Sequence, residues 1–180
     1  YRIIATVIDS SNVLAVSINS TTAAQAVNLS ISGTTITVGT AATATLGGNI
    51  SDIGQLYNVG SSYVWMYHRA TNIAAMRALT VSAGTVTIGA ETTLSGTSGI
   101  YNIQNGTLVQ SSSVILALTV SSTTFYATPY TISGTTITIG TQASTARSTG
   151  GTGGWIGRAT SGRYLAFYSA SASTWDGMVI

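Results

Sequence analysis

The sequence predicts an all-β chain built from a repeated, four-stranded antiparallel sheet, and three observations carry that prediction. A nine-residue string recurs as ISGTTITVG at 31–39, VSAGTVTIG at 81–89 and ISGTTITIG at 132–140, spaced by 50 and 51 residues. Two further apolar strings keep the same phase, so one unit is repeated along the whole chain. Within each unit the apolar residues alternate with a period of two or run unbroken for five or six residues, as strands do.

Taken in order, the first strand of each unit is IIATVI at 3–8, IGQLYNV at 53–59, GTLVQ at 106–110 and WIGRA at 155–159. The second is VLAVSI at 13–18, YVWMYH at 63–68, VILALT at 114–119 and RYLAFY at 163–168. It is apolar on both parities, most plainly at Tyr63, Val64, Trp65, Met66 and Tyr67, which predicts a strand covered on both faces inside a stack of sheets. The third strand falls on 22–29, 72–79 and 123–130. Ile73, Met76 and Arg77 give its middle copy a helical look, but the third copy holds Pro129, and a position that accepts proline is a poor helix interior. Pro129 has no N–H for a ladder, so a bulge or an irregular start is expected in that strand. The fourth strand alternates Ile36/Val38, Val86/Ile88 and Ile137/Ile139 with threonines, which predicts one packed and one wet face. On that reading Lys is tolerated at Thr37 and unfolds the unit at Ile36. Ser32-Gly33, Ala83-Gly84 and Ser133-Gly134 supply the tight link between the last two strands.

Four antiparallel strands per unit of about 50 residues, with inner strands apolar on both faces, match the blade of a β-propeller. The competing β-solenoid repeats at shorter periods with parallel strands and needs no glycine hairpin in each unit. The phase divides the chain into blades at 1–48, 49–98 and 99–150 and a partial blade at 151–180, about three and a half blades of an incomplete ring. We expect an excerpt of a longer chain, or one chain of an assembly whose other copies or segments complete the ring.

Composition removes several functional classes. The 180 residues include 31 Thr, 24 Ser and 20 Gly against six Arg, no Lys, four acidic residues, one His and no Cys. Without cysteine there is no disulfide framework, thiolate nucleophile or Cys-ligated zinc, and His68 alone cannot build a histidine cage. A net charge of +2 on ten charged side chains is no basic patch for nucleic acid. No apolar run has the roughly 18 residues that span a bilayer. The 44% hydrophobic content argues against disorder.

The acidic residues Asp9, Asp52, Glu91 and Asp176 fall at different phases of the repeat, so no pair of carboxylates is brought together for acid–base work. No G-x-S-x-G string surrounds a serine, and the glycine-rich 150–154 has neither a following helix nor a lysine for phosphate. No catalytic residue, cofactor or metal is expected. Exposed aromatics with Arg, Asn and Ser are the usual equipment for stacking on sugars, and Tyr57, Arg69, Tyr101, Trp155 and Arg158, near strand ends or connections, are the candidate ligand or receptor contacts. Position 65 is Trp where its counterparts by repeat spacing are Ala15, Leu116 and Leu165, which disfavours a sugar site repeated in every blade. With no Lys to discourage pairing, the sheet edges need covering.

The strings VLAVSI at 13–18 and NLSISGTTITVGT at 28–40, with their later copies, resemble the propeller-type repeats of bacteriophage tail, fibre and other virion proteins. The resemblance covers essentially the whole chain. It implies a structural module of a virus particle that serves as scaffold and in host adhesion, with other virion proteins as partners and a cell-surface glycan as a further one, and it implies no catalytic residues. A bacterial surface adhesin or filament and a carbohydrate-binding propeller are the alternatives.

Overall fold

The computed structural model describes residues 2–20, 22–69, 73–94, 107–120, 124–146, 154–160, 163–169 and 175–179. They form four antiparallel sheets in series. Sheet 1 holds β1 (Ile3–Asp9), β2 (Asn12–Ser20), β3 (Ala23–Ser32), β4 (Thr35–Val38) and β5 (Ala42–Thr45). Sheet 2 holds β6 (Ile50–Val59), β7 (Ser62–Arg69), β8 (Ile73–Ser82), β9 (Thr85–Ile88) and β10 (Thr92–Thr93). Sheet 3 holds β11 (Thr107–Ser111), β12 (Val114–Val120), β13 (Thr124–Ser133), β14 (Thr136–Ile139) and β15 (Ala143–Ala146). Sheet 4 holds β16 (Gly154–Thr160), β17 (Arg163–Ser169) and β18 (Trp175–Val179). Each sheet is a meander of sequential neighbours, and the described sheets do not close into a ring. Every strand pair among the described residues is antiparallel, which removes the solenoid. The stretch from Ile73 that looked helical is strand β8.

The sheets pack face to face, and alternate residues of the second strand select the junction they enter. Leu14 and Val16 of sheet 1 meet Tyr63, Trp65 and Tyr67 of sheet 2. The other parity of β7, Val64 and Met66, meets Ile115, Ala117, Tyr130 and Ile132 of sheet 3. Leu116 and Leu118 then meet Ile156, Tyr164 and Ala166 of sheet 4. The second strand of sheets 2 and 3 is therefore covered on both faces, as its unbroken apolar run predicts. The third strand lines these junctions with Ala24 and Ala26, Ala74 and Ala78, and Ala127, all fully buried. Small side chains there let the large residues of the facing sheet fill the space at crystal-like density. Each buried Leu, Val or Met contributes about 1.5–3 kcal/mol before entropy is subtracted.

The fourth strand differs from the expectation in one way that all three complete units share. It is split into two collinear pieces, and both pair with the third strand. Leu29 pairs with Val38 but Ala26 with Ala42, so Gly39, Thr40 and Ala41 face only Val27 and Asn28. The same one-residue excess follows Ile88 and Ile139. This is a β-bulge, closed by Gly39, Gly89 and Gly140, whose N–H groups donate to the carbonyls of Asn28, Ala78 and Pro129 at 2.9, 2.8 and 2.8 Å. Since N–H and C=O of one residue point to the same side of a strand, the N–H that Pro129 lacks falls at the interrupted ladder, where its loss costs least. The irregularity expected from Pro129 exists, but in mid-strand and in every complete unit. Two of these glycines also receive the next sheet: a Cβ on Gly39 would lie 3.5 Å from the Gly84 carbonyl oxygen, and one on Gly89 would overlap that of Thr135.

Two expectations are corrected by the registers and by exposure. Trp65 pairs with Arg77, Ala15 with Val27 and Ala117 with Thr128, while Ala166 stands opposite Ile156 as Ala15 stands opposite Ala5. The counterparts of Trp65 are thus Ala15, Ala117 and Ala166, not Leu116 and Leu165. Ile36 is 62% exposed because no described sheet lies over that face of β4, so the exposure gives no reason for Lys there to unfold the unit. The expected packed face is present in sheet 2, where Val86 is buried.

Candidate functional site

Three charged side chains, Arg69, Arg77 and Glu91, converge in one place, the junction of sheets 1 and 2. Tyr67 and Arg69 are two apart on β7 and so share a face. Arg77 sits in β8, and the register that pairs Met76 with Thr92 brings Glu91 opposite it across the bulge. The carboxylate of Glu91 accepts from the Tyr67 hydroxyl at 2.5 Å and from the Gly47 N–H of sheet 1 at 3.0 Å. It lies 3.1 Å from Arg69 and 3.8 Å from Arg77. Arg77 donates to the Tyr67 hydroxyl and to the carbonyls of Gly89 and Thr45, and Arg69 donates to the carbonyl of Gly47. Thr45 and Gly47 are the sheet 1 side of the joint, so the cluster bolts two sheets together through backbone groups.

Burial alone would raise the Glu91 carboxyl, but the Tyr67 hydroxyl, the Gly47 N–H and the two guanidinium groups outweigh it and hold the group below the usual carboxylate range. Burial pushes the Tyr67 phenol far up, and the neighbouring carboxylate adds to this, so Tyr67 remains a donor. Every oxygen of Glu91 that could take a proton from a substrate is already engaged.

A second local device serves Trp65, which is fully buried. Asp52 pairs with His68 and Gln55 with Met66, so Ile53 and Gly54 together oppose Tyr67. At this bulge Gly54 has φ 66°, which L side chains rarely adopt, and a Cβ there would overlap the Met66 carbonyl. The kink aims the Ile53 carbonyl at the indole, which donates to it at 2.6 Å.

The candidate contacts are not brought together. Tyr57, on β6, packs against the core between sheets 2 and 3 and donates to Gln55 at 3.1 Å. Arg69 is committed to the charged joint. Trp155 is about half exposed on the outer face of sheet 4, its indole lying across Gly157 and 6.0 Å from the Phe167 ring. Arg158, three residues on, points to the opposite face of β16 and is exposed. Tyr101 lies outside the described residues.

The remaining carboxylates with described side chains are also occupied. Asp9 closes the β1–β2 turn by accepting from the Ser11 N–H and the Asn12 amide, which lowers its carboxyl. Asp52 accepts from Arg2 and from the Gly54 N–H. His68 has no partner at Nε2, and burial lowers its imidazole although Asp52 opposes the shift. No group of three His, Cys, Asp or Glu among the described residues could hold a metal ion. An open cleft of about 450 Å³ lies between sheets 1 and 2, lined by Arg2, Ile18, Asn19, Ser20, Ile50, Ser51 and Ile53. No described helix is long and apolar enough to cross a membrane.

Sequence reasoning missed the joint of Arg77 and Glu91. The signal was in the hairpin: once one extra residue is allowed after the glycine, positions 77 and 91 face each other, as do Thr128 and Gln142. Comparison with family models, curated proteins and solved structures finds no match to this chain.

Proposed function

We propose that the chain is a structural repeat module, an arc of β-propeller blades that acts as scaffold in a bacteriophage virion and carries no catalytic site. The observation that supports this most is the uniform stacking. At each junction the same parity of one sheet meets the opposite parity of the next, the second strand of sheets 2 and 3 is covered on both faces, and the charged cluster of the first junction joins sheets 1 and 2. The meander order and the period of about 50 residues fit a propeller blade, and the repeat strings that resemble virion proteins supply the particle. The threonine-rich faces and loops offer neighbours or a receptor a neutral, hydrogen-bonding surface.

The test is peptide mass spectrometry on purified particles and on the cell-envelope fraction of the source. Peptides of this chain in the particles, at a stoichiometry above that of contaminating host proteins, are the expected result. Peptides confined to the envelope fraction would move the reading to a bacterial surface adhesin or filament.

A further inference from the structure

We propose that the outer face of sheet 1 and the outer face of sheet 4 are the two halves of one docking surface, so that a second copy of this chain stacks head to tail on the first. This rests on the reading of the chain as a structural stack.

The outer face of sheet 1 is apolar and continuous across strands. Val7 pairs with Val13, Val13 with Leu29 and Leu29 with Val38, while Ile31 pairs with Ile36, all on one face. Val7 and Val38 are 64% and 67% exposed. An isolated surface does not keep such a row in water without a partner. Sheets 2 and 3 show what covers this face. Its counterparts there are Tyr63, Leu79 and Val86 in sheet 2 and Ile115, Tyr130 and Ile132 in sheet 3, each buried beneath the preceding sheet.

The covering face has its own pattern: Leu14 and Val16, Val64 and Met66, Leu116 and Leu118 on the second strand, over small residues on the third. Sheet 4 repeats it with Leu165 and Phe167. Gly177, opposite Phe167, stands where Ala26 and Ala127 stand opposite Val16 and Leu118. Phe167, Trp155 and Val179 are exposed there. The two outer faces are therefore the two kinds that mate at every internal junction; the one charge on either face among the described residues is Arg163, at the end of β17 beside the turn, where its long side chain can keep the guanidinium at the rim of the contact. Because they differ, the contact is heterologous and builds rings or open stacks, not a two-fold dimer.

The experiment is sedimentation velocity on the 180-residue chain and on Val38→Arg and Phe167→Arg. The unaltered chain should associate as concentration rises, and each variant alone should be monomeric, with association weakened by about 100-fold or more. Mixing the two variants should restore a one-to-one dimer, since one keeps an intact sheet 4 face and the other an intact sheet 1 face. Thermal melts check that both fold, and Ile36→Asp with Val179→Asp is the second pair if either does not. An unaltered chain that stays monomeric, a single variant that still associates, or a mixture that stays monomeric overturns the proposal. Restored pairing in a chain absent from particles removes the virion reading and leaves the docking standing.

Discussion

The junction between sheets 1 and 2 and the junction between sheets 2 and 3 are built on one backbone plan and filled with different chemistry. In the first, the two positions that face each other across the bulge are Arg77 and Glu91, beside the buried rings of Trp65 and Tyr67. In the second, the same positions are Thr128 and Gln142, joined by a neutral hydrogen bond of 2.9 Å, beside Ala117 and Thr119. On the outer face of sheet 1 they are Val27 and Ala41. One slot thus accepts an ion pair, an amide and a hydroxyl, or two apolar side chains. What the fold requires is that the two occupants satisfy each other. Which chemistry does so is free to vary, because a matched buried ion pair is no more stabilising than a matched apolar one, while a broken pair of either polar kind is costly.

The comparison breaks most sharply at the position that is alanine in three sheets. Trp65→Ala should cost about 3–5 kcal/mol in urea unfolding, because it opens a cavity and leaves the Ile53 carbonyl without its donor. Ala117→Gly, in the equivalent place of sheet 3, should cost only about 1 kcal/mol. If the two losses are similar, the first junction does not depend on its tryptophan.

Glu91→Ala should cost about 3 kcal/mol by leaving two poorly exposed guanidinium groups uncompensated. Gln142→Ala removes one neutral hydrogen bond and should cost about 1 kcal/mol. Near-equal values would show that the charged joint is no more than a second hydrogen-bonded pair.

Acid should separate the two junctions as well. Glu91 has a folded pKa below its ordinary 4.5, so its contribution is complete above that value and is lost as pH falls through the folded pKa. His68, held below its ordinary 6.5 by burial, contributes in the same direction over the window beneath 6.5. Stability measured against pH should thus fall in two stages, and Glu91→Gln should shrink the lower one to the part that Asp9, whose carboxyl is also lowered, contributes. A lower stage of undiminished size in Glu91→Gln would show that Glu91 contributes nothing to it.

The smallest expected effect concerns the hairpins. Sheets 1 and 3 place glycine first in the turn, Gly33 and Gly134, whereas sheet 2 places Ala83 there at φ 47°, the one non-glycine residue with positive φ among those described. Ala83→Gly should raise stability by about 1 kcal/mol by removing that strain. No gain in the melting curve would mean that packing at this turn already compensates for it.

How much of this the sequence shows depends on how strongly each residue's environment marks it. The period, the strands and the twice-covered second strand are legible because apolar residues repeat in phase. That same second strand hides its register: VILALT at 114–119 is apolar on both parities, so a slip of one residue leaves no trace, and repeat spacing points to Leu116 where the pairing with β13 places Ala117. The split fourth strand is invisible for a related reason. Gly39, Gly89 and Gly140 look like strand ends, and only the hydrogen bonds to Asn28, Ala78 and Pro129 show that pairing resumes beyond them. Arg69 carries the marks of a ligand contact because a lone arginine among neutral residues has no partner within reach along the chain. Its partners, Glu91 and the Gly47 carbonyl, are 22 residues away on either side. Of the candidate contacts, Trp155 and Arg158 stand exposed, as their placement near a connection suggests.

The bulges have a further consequence for colloidal behaviour. In sheets 1 and 3 neither piece of the fourth strand exceeds four residues, and in all four sheets the first strand carries a register shift of its own. Both margins of the sheet thereby change hydrogen-bonding phase every few residues. A foreign strand can match only a short stretch before it falls out of step, so a chain without a single lysine still resists the edge-to-edge zippering that ends in amyloid.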